Sequence, residues 1–337
     1  MTGRAAAFLG KAAALGLGVS ILAACADAGI PINDLRGQVQ GGSQRSVEQV
    51  FAAKRPVVAL LDNKKGVLFA ATDAGDIYAI TEVNQAERLY RGLPVCENSW
   101  SAFALTKNGD LVTNTCRDGK DVLVTVSPSG DIRDMAPVTG RVVSLANDSQ
   151  GILYAATWAS EGNVSISLNP RALAGAEFIV GRIYALPAGG QPSLVYEGGV
   201  PVWISVSRKD VLYASLWGAK GYFAPEKKSY SYVDPYRVYW LALSDRIQFA
   251  DITERRTRFA HSLIDALSIF LIPDDDYLLG YGIDKNGEGG LFLIEENRPP
   301  IRVLFQDQKV DKNITSLALF RDVVYFGNAE GVVYRIK

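Results

Sequence analysis

The chain contains one histidine, His261, between Ala260 and Ser262. Imidazole is the side chain best suited to proton transfer near neutral pH and a frequent metal ligand. A single copy rules out His-rich metal centres, and these neighbours suit a residue at a loop or strand end. The carboxylates offer one spaced set. Asp284-Lys285-Asn286-Gly287-Glu288-Gly289, with Glu295 at the twelfth position, approximates a calcium loop in which alternating oxygens surround the ion and a final carboxylate closes it. Strands rather than helices should flank it, position five is a glutamate and position nine is Phe292. A Gly-rich hairpin turn is therefore favoured, with Asp284, Asn286, Glu288 and Glu295 as the candidate ligands if calcium binds. Asp274-Asp275-Asp276 reads as a solvated turn, and no Gly-rich phosphate loop follows any strand.

The remaining chemistry belongs to cysteine. Arg4 and Lys11 precede an apolar run from Ala12 to Leu22, which ends in Leu22-Ala23-Ala24-Cys25. A basic region, an apolar stretch and small residues before a cut form an export signal. The run is too short and Gly-rich for a comfortable membrane span, which needs roughly 20 apolar residues. These residues resemble the bacterial lipoprotein class. The resemblance implies cleavage before Cys25, a covalent lipid (diacylglyceryl on sulfur, an acyl chain such as palmitate on nitrogen) and a membrane partner reached through that anchor. Ala26 after the cysteine implies the outer membrane, with the mature domain facing the periplasm or, as the alternative, the cell surface. The expected organisation is a signal over 1–24, a flexible lipidated tether over 25–45 and a folded domain over 46–337. Cys96 and Cys116 are then an even pair in an oxidising compartment, and a bridge between them would contribute roughly 3 kcal/mol.

With 35 basic and 36 acidic residues and no dense Lys/Arg stripe, the chain lacks the field that draws nucleic acid. Its organisation lies in repeats. Val57 to Leu61, Val67-Leu68-Phe69-Ala70-Ala71 and Gly75-Asp76-Ile77-Tyr78-Ala79-Ile80 form one copy. Ile152-Leu153-Tyr154-Ala155-Ala156 with Gly181-Arg182-Ile183-Tyr184-Ala185-Leu186 forms another, and Val323-Val324-Tyr325-Phe326-Gly327 with Gly331-Val332-Val333-Tyr334-Arg335-Ile336 a third. Weaker copies start near Phe103, Ile204 and Leu267. Fourth elements follow at Arg88-Leu89-Tyr90, Ser193 to Tyr196 and Arg302 to Phe305. Short Val/Ile/Tyr strands with Gly and Asp turns at this period predict an all-β, six-bladed β-propeller. The last copy ends at Lys337 after its third strand, and Val47-Glu48-Gln49-Val50-Phe51 reads as the fourth strand that closes the ring and removes an open edge.

The Gly-x-aliphatic-Tyr copies resemble the propellers of the NHL and SMP-30/gluconolactonase type. That resemblance implies the fold and, as an alternative activity, a metal-dependent hydrolase or lyase, or a small-ligand sensor. Glu97, Asn98, Asp265 and Asn313 fall near inner-strand ends but match no family motif, so no metal role is carried over and no catalytic residue is assigned.

Loop lengths point to binding. The second-to-third connections of blades three and four run from Trp158 to Val180 and from Trp217 to Arg237, the latter with Tyr222, Phe223, Tyr230, Tyr232 and Tyr236. Long connections in compact domains are usually functional, and Trp and Tyr are enriched at binding hot spots. With Trp203 expected beneath them, these residues form the candidate platform for a protein or envelope-polymer partner. Arg255, Arg256 and Arg258 read as a solvated basic turn on the same face.

Overall fold

The computed structural model describes residues 29–83, 85–94, 96, 101–127, 130–135, 137–160, 179–198, 200–217, 248–251, 256–258, 264–274, 277–284, 288–295, 298–311 and 313–337. The alternating Val/Ile/Tyr segments form six four-stranded antiparallel sheets. The first contains β2 Val57–Asp62, β3 Leu68–Thr72, β4 Ile77–Glu82 and β5 Gln85–Tyr90. The second contains β6 Phe103–Leu105, β7 Leu111–Arg117, β8 Lys120–Val126 and β9 Ile132–Asp134. The third contains β10 Arg141–Asn147, β11 Leu153–Ser160, β12 Ile179–Leu186 and β13 Ser193–Gly198. The fourth contains β14 Val200–Val206, β15 Leu212–Trp217, β16 Gln248–Asp251 and β17 Arg256–Arg258. The fifth contains β18 Ile264–Asp274, β19 Tyr277–Asp284, β20 Gly289–Glu295 and β21 Ile301–Arg302. The sixth joins β22 Ile314–Phe320, β23 Val323–Asn328 and β24 Val332–Ile336 to the N-terminal strand β1 Val47–Ala52. First strands adjoin in the cyclic order β2, β6, β10, β14, β18, β22 and back to β2, so the sheets radiate from one axis as a β-propeller.

The repeat extends to backbone irregularities. Five first strands slip register at their second or third residue, between Val57 and Ala59, Val142 and Ser144, Pro201 and Trp203, Ile264 and Ala266, and Ile314 and Ser316. Such a bulge bends and twists the strand, helping sheets splay around an axis. The core fills the wedges between neighbouring sheets. Ala59, Ala71 and Ile77 of the first sheet meet Phe103, Leu111 and Val124 of the second. Ala104, Val112 and Leu123 of the second sheet meet Val142, Leu153 and Ala155 of the third.

The expected closure is present: Val47 faces Ile336, Glu48 faces Arg335 and Ala52 faces Val332. Glu48 also ion-pairs with Arg335 at 2.5 Å and with Lys337 at 3.3 Å. Gly331 makes the tight β23–β24 turn at φ 85°; a Cβ there would lie 2.5 Å from Arg55 O.

The tether expected over 25–45 requires correction. Helix α1, Ile32–Gln40, lies in it and buries Ile32, Leu35 and Val39. Their i, i+3, i+7 spacing makes one apolar stripe, which packs with Leu279, Leu291, Leu293 and Phe326 of the fifth and sixth sheets. Pro31 precedes the helix, Asp34 in its first turn complements the dipole, and Gly42 at φ 72° helps end it. The flanking backbone is also fastened. Ile30 N–H donates to Ile336 O at 3.1 Å, Ile32 N–H to Asp322 O at 2.6 Å, and Arg45 N–H to Leu304 O at 2.7 Å. Burial of the stripe offsets the ordering entropy that Gly- and Gln-rich composition suggested would keep this segment free. Residues 25–28 lie outside the described residues. No helix among the described residues is long and apolar enough to cross a membrane.

Candidate functional site

The first-to-second turns of the sheets gather at one end of the propeller axis. There they frame a cavity of about 590 Å³ lined by the ends of β2, β10, β14, β18 and β22. Its polar lining includes Asp62, Lys64, Asn147, Ser149, Ser205, Ser207, Arg208, Asp210, Arg321 and Asp322. Of the six non-glycine residues with positive φ among the described residues, Lys64, Asp210, Arg321 and Asp322 line this recess. Arg321 and Asp322, at φ 51° and 63°, form the two-residue β22–β23 connection, where positive φ at both positions matches the strand twist.

Adjacent turns are cross-linked. Ser149 of the third sheet donates to Asp210 of the fourth through its amide at 2.8 Å and its hydroxyl at 2.5 Å. Arg208 donates to Asp322 of the sixth sheet at 2.5 Å. Arg321 donates to Gly66 O of the first at 3.2 Å and lies over the Phe320 ring. Ser207 Oγ accepts from the Lys209 and Val211 amides, at 3.2 and 3.3 Å. These hydroxyls work as turn and bridge atoms, so the recess offers hydrogen bonding and ion pairing to a polar visitor.

Two carboxyls depart from their ordinary range in opposite directions. The Ser149 hydroxyl and amide bonds hold Asp210 below it. Burial pushes Asp62 above it, against the Lys64 amide bond and the nearby Lys64 and Arg321 charges. The signs follow from linkage. The Asp210 contribution to stability is present above the usual carboxylate range and is lost as pH falls through the lowered value. The Asp62 contribution is present below that range and is lost as pH rises through the raised value. In a carboxyl-carbon NMR titration, Ser149→Ala should move the Asp210 midpoint up toward the ordinary aspartate value and leave Asp62 in place. An unmoved Asp210 would refute the assigned cause.

The residues selected from the sequence fall in several places. Trp158 is buried, and its indole N–H donates to Pro201 O of the next sheet at 2.8 Å. Trp203 donates to Phe270 O of the fifth sheet at 2.9 Å. Both act as ties between sheets, Trp158 from a buried position and Trp203 from the half-buried one expected beneath the connections: an indole N–H taken out of water needs an acceptor, and the neighbouring backbone supplies it. Trp217 ends β15. Tyr222, Phe223, Tyr230, Tyr232 and Tyr236 lie outside the described residues, as do Glu97, Asn98 and His261.

The residues of the calcium alternative are spread along two paired strands. Asp284 ends β19, whereas Glu295 ends β20 opposite Tyr277. Six residues of extended strand lie between Tyr277 and Asp284, so Asp284 and Glu295 stand at opposite ends of the fifth sheet. Glu295 instead accepts from Arg36 at 2.6 Å, Gln40 at 3.0 Å and Arg298 at 2.8 Å. Glu288 pairs with Arg302 at 3.1 Å, and Asn286 lies outside the described residues. Among the described residues, no group of three or more His, Cys, Asp or Glu side chains is placed to hold a metal.

Cys96 and Cys116 form a disulfide, S–S 2.06 Å, joining the segment before β6 to the end of β7. The Cys116 amide and the Thr115 hydroxyl both donate to Pro94 O, at 2.8 and 2.9 Å. The bridge therefore reinforces a seam already held by hydrogen bonds.

No protein-family model and no curated protein matches the chain. Solved structures do. A gluconolactonase from Xanthomonas campestris aligns with TM-score 0.54 at 10% identity, covering 87% of this chain and 89% of that one. A catalytically inactive virginiamycin B lyase from Staphylococcus aureus, bound to quinupristin, aligns with TM-score 0.50 at 10% identity, covering 87% and 99%. A WD40 β-propeller domain aligns with TM-score 0.53 at 10% identity, covering 88% and 97%. At these identities the likeness establishes the β-propeller fold, which hosts unrelated functions.

Proposed function

We propose that this chain is a lipid-anchored binding module of the bacterial cell envelope. Residues 1–24 direct export, Cys25 carries the lipid, and a propeller with one blade per four-stranded sheet faces the periplasm from the outer membrane. Its partner is a protein or envelope polymer, engaged by the connections 161–178 and 218–247. One observation carries the reading. Both connections depart from second strands of adjacent sheets, β11 and β15, at the end of the ring opposite the β22–β23 turn, where the N-terminal strap is fastened. The ring is thus held by one end, and both segments leave it at the other.

In-cell crosslinking with mass spectrometry tests this. The wild type is compared with Tyr232→Ala and with a chain whose residues 218–247 are replaced by a short Gly-Asn linker. Both variants should lose a crosslinked partner at an unchanged urea midpoint. An identical crosslinked set in all three chains would overturn the reading.

The axial recess favours a second reading, a sensor of a small polar ligand, because its size falls within the range typical of such sites, ~300–1,000 Å³. A metal-dependent hydrolase or lyase has the gluconolactonase and lyase neighbours behind it, but Glu288 and Glu295 are already engaged by arginines.

A further inference from the structure

The structure fixes where the N-terminal segment leaves the ring, and we infer from it that the turn end of the propeller, with the axial recess, lies against the bilayer. The inference rests on lipidation of Cys25. Gly29 is buried beside Val323, where an added Cβ would also lie 2.8 Å from Ile336 O. The next residues are fastened to Ile336 O and Asp322 O, and Pro31 bridges Val323. Asp322 is the second residue of the β22–β23 turn and lines the recess, and Val323 follows it as the first residue of β23. The exit is therefore on the rim of the recess.

Only four residue steps separate Cys25 from Gly29, so a lipid on Cys25 holds that rim within about 14 Å at full extension. A free tether over 25–45 would have let the ring turn either end to the membrane; a strapped one does not. Strands of six or so residues place the opposite end about 20 Å farther away. The recess then opens toward headgroups, and the ends of β11 and β15 face away from them.

Three single-cysteine variants of the full chain test the orientation, since Cys96 and Cys116 are bonded to each other. Lys65→Cys and Gln150→Cys mark exposed turns at the recess end, in the first and third sheets; Glu330→Cys marks the exposed β23–β24 turn at the far end. Each is expressed in bacteria, extracted with its lipid, labelled with bimane and reconstituted into phosphatidylethanolamine/phosphatidylglycerol vesicles containing headgroup-region nitroxide lipid. Alkynyl-palmitate incorporation is scored on the same preparations. The expected result is incorporation in all three, loss of bimane fluorescence at Lys65→Cys and Gln150→Cys, and none at Glu330→Cys. Incorporation with Glu330→Cys quenched as strongly as Lys65→Cys overturns the orientation and leaves the anchor intact. No incorporation, with Cys25→Ala fractionating like the wild type, overturns the anchor and the orientation with it.

Discussion

Leu35→Ala should lower the free energy of unfolding by about 3 kcal/mol, read as a shift of the urea midpoint at constant slope. Leu35 is 1% exposed and meets side chains of both the fifth and sixth sheets. Its removal loses transfer energy and leaves a cavity that cannot easily collapse, because the sheets on either side are held by their own ladders. The effect should also be local. Arg36, which bonds Glu295 and lies 4.5 Å over the Tyr277 ring, sits on the same helix. Loosening α1 therefore withdraws a partner from a carboxylate that is only 6% exposed. Increased proteolysis near the strap at denaturant concentrations where the ring stays folded would show this. Asn33→Ala, on the exposed side of the same helix, should change stability by less than about 0.5 kcal/mol. If Leu35→Ala behaves like Asn33→Ala, the segment is a tether after all.

The contrast between α1 and the sheets explains what the sequence reveals. Gly75 to Ile80, Gly181 to Leu186 and Gly331 to Ile336 combine alternation with turn residues, a short-range code that needs no knowledge of distant neighbours, and all three fall in third strands. Closure by β1 is legible for the same reason: a repeat missing a strand at one end is matched by a lone strand at the other. The helix hides because only Ile32, Leu35 and Val39 in its nine residues form the stripe, amid Gly and Gln. The axial recess hides differently. Lys64, Ser149, Asp210 and Arg321 are each ordinary turn residues, and only the ring brings them together; their shared position just after each first strand is the signal that could have revealed them. Asp284 and Glu295 err in the opposite sense. Their spacing along the chain resembles a ligand loop, but a hairpin carries them to opposite ends of a sheet.

Val50→Asp should cost about 4 kcal/mol or more, and Val50→Ala about 2 kcal/mol, because the aspartate places an unpaired carboxyl where the alanine merely removes methyl groups. Val50 is the residue at which β1 slips register against β24. The bulge turns its side chain into the wedge between the first and sixth sheets, where it is 2% exposed among Val57, Leu68, Phe320 and Val333. Closure depends on this contact more than on the ion pairs. Glu48, Arg335 and Lys337 are 25%, 13% and 28% exposed, so their attraction is offset by the cost of taking the charges out of water, and a glutamine at 48 can still accept from Arg335. Glu48→Gln should therefore move the urea midpoint only slightly. Loss of the β1 clasp would expose the edge of β24, a template for pairing with other chains, so Val50→Asp should also form larger species on size-exclusion chromatography below its unfolding midpoint. A variant that stays monomeric, with stability equal to Val50→Ala, would mean that β1 adds a strand to the sixth sheet without holding the ring shut.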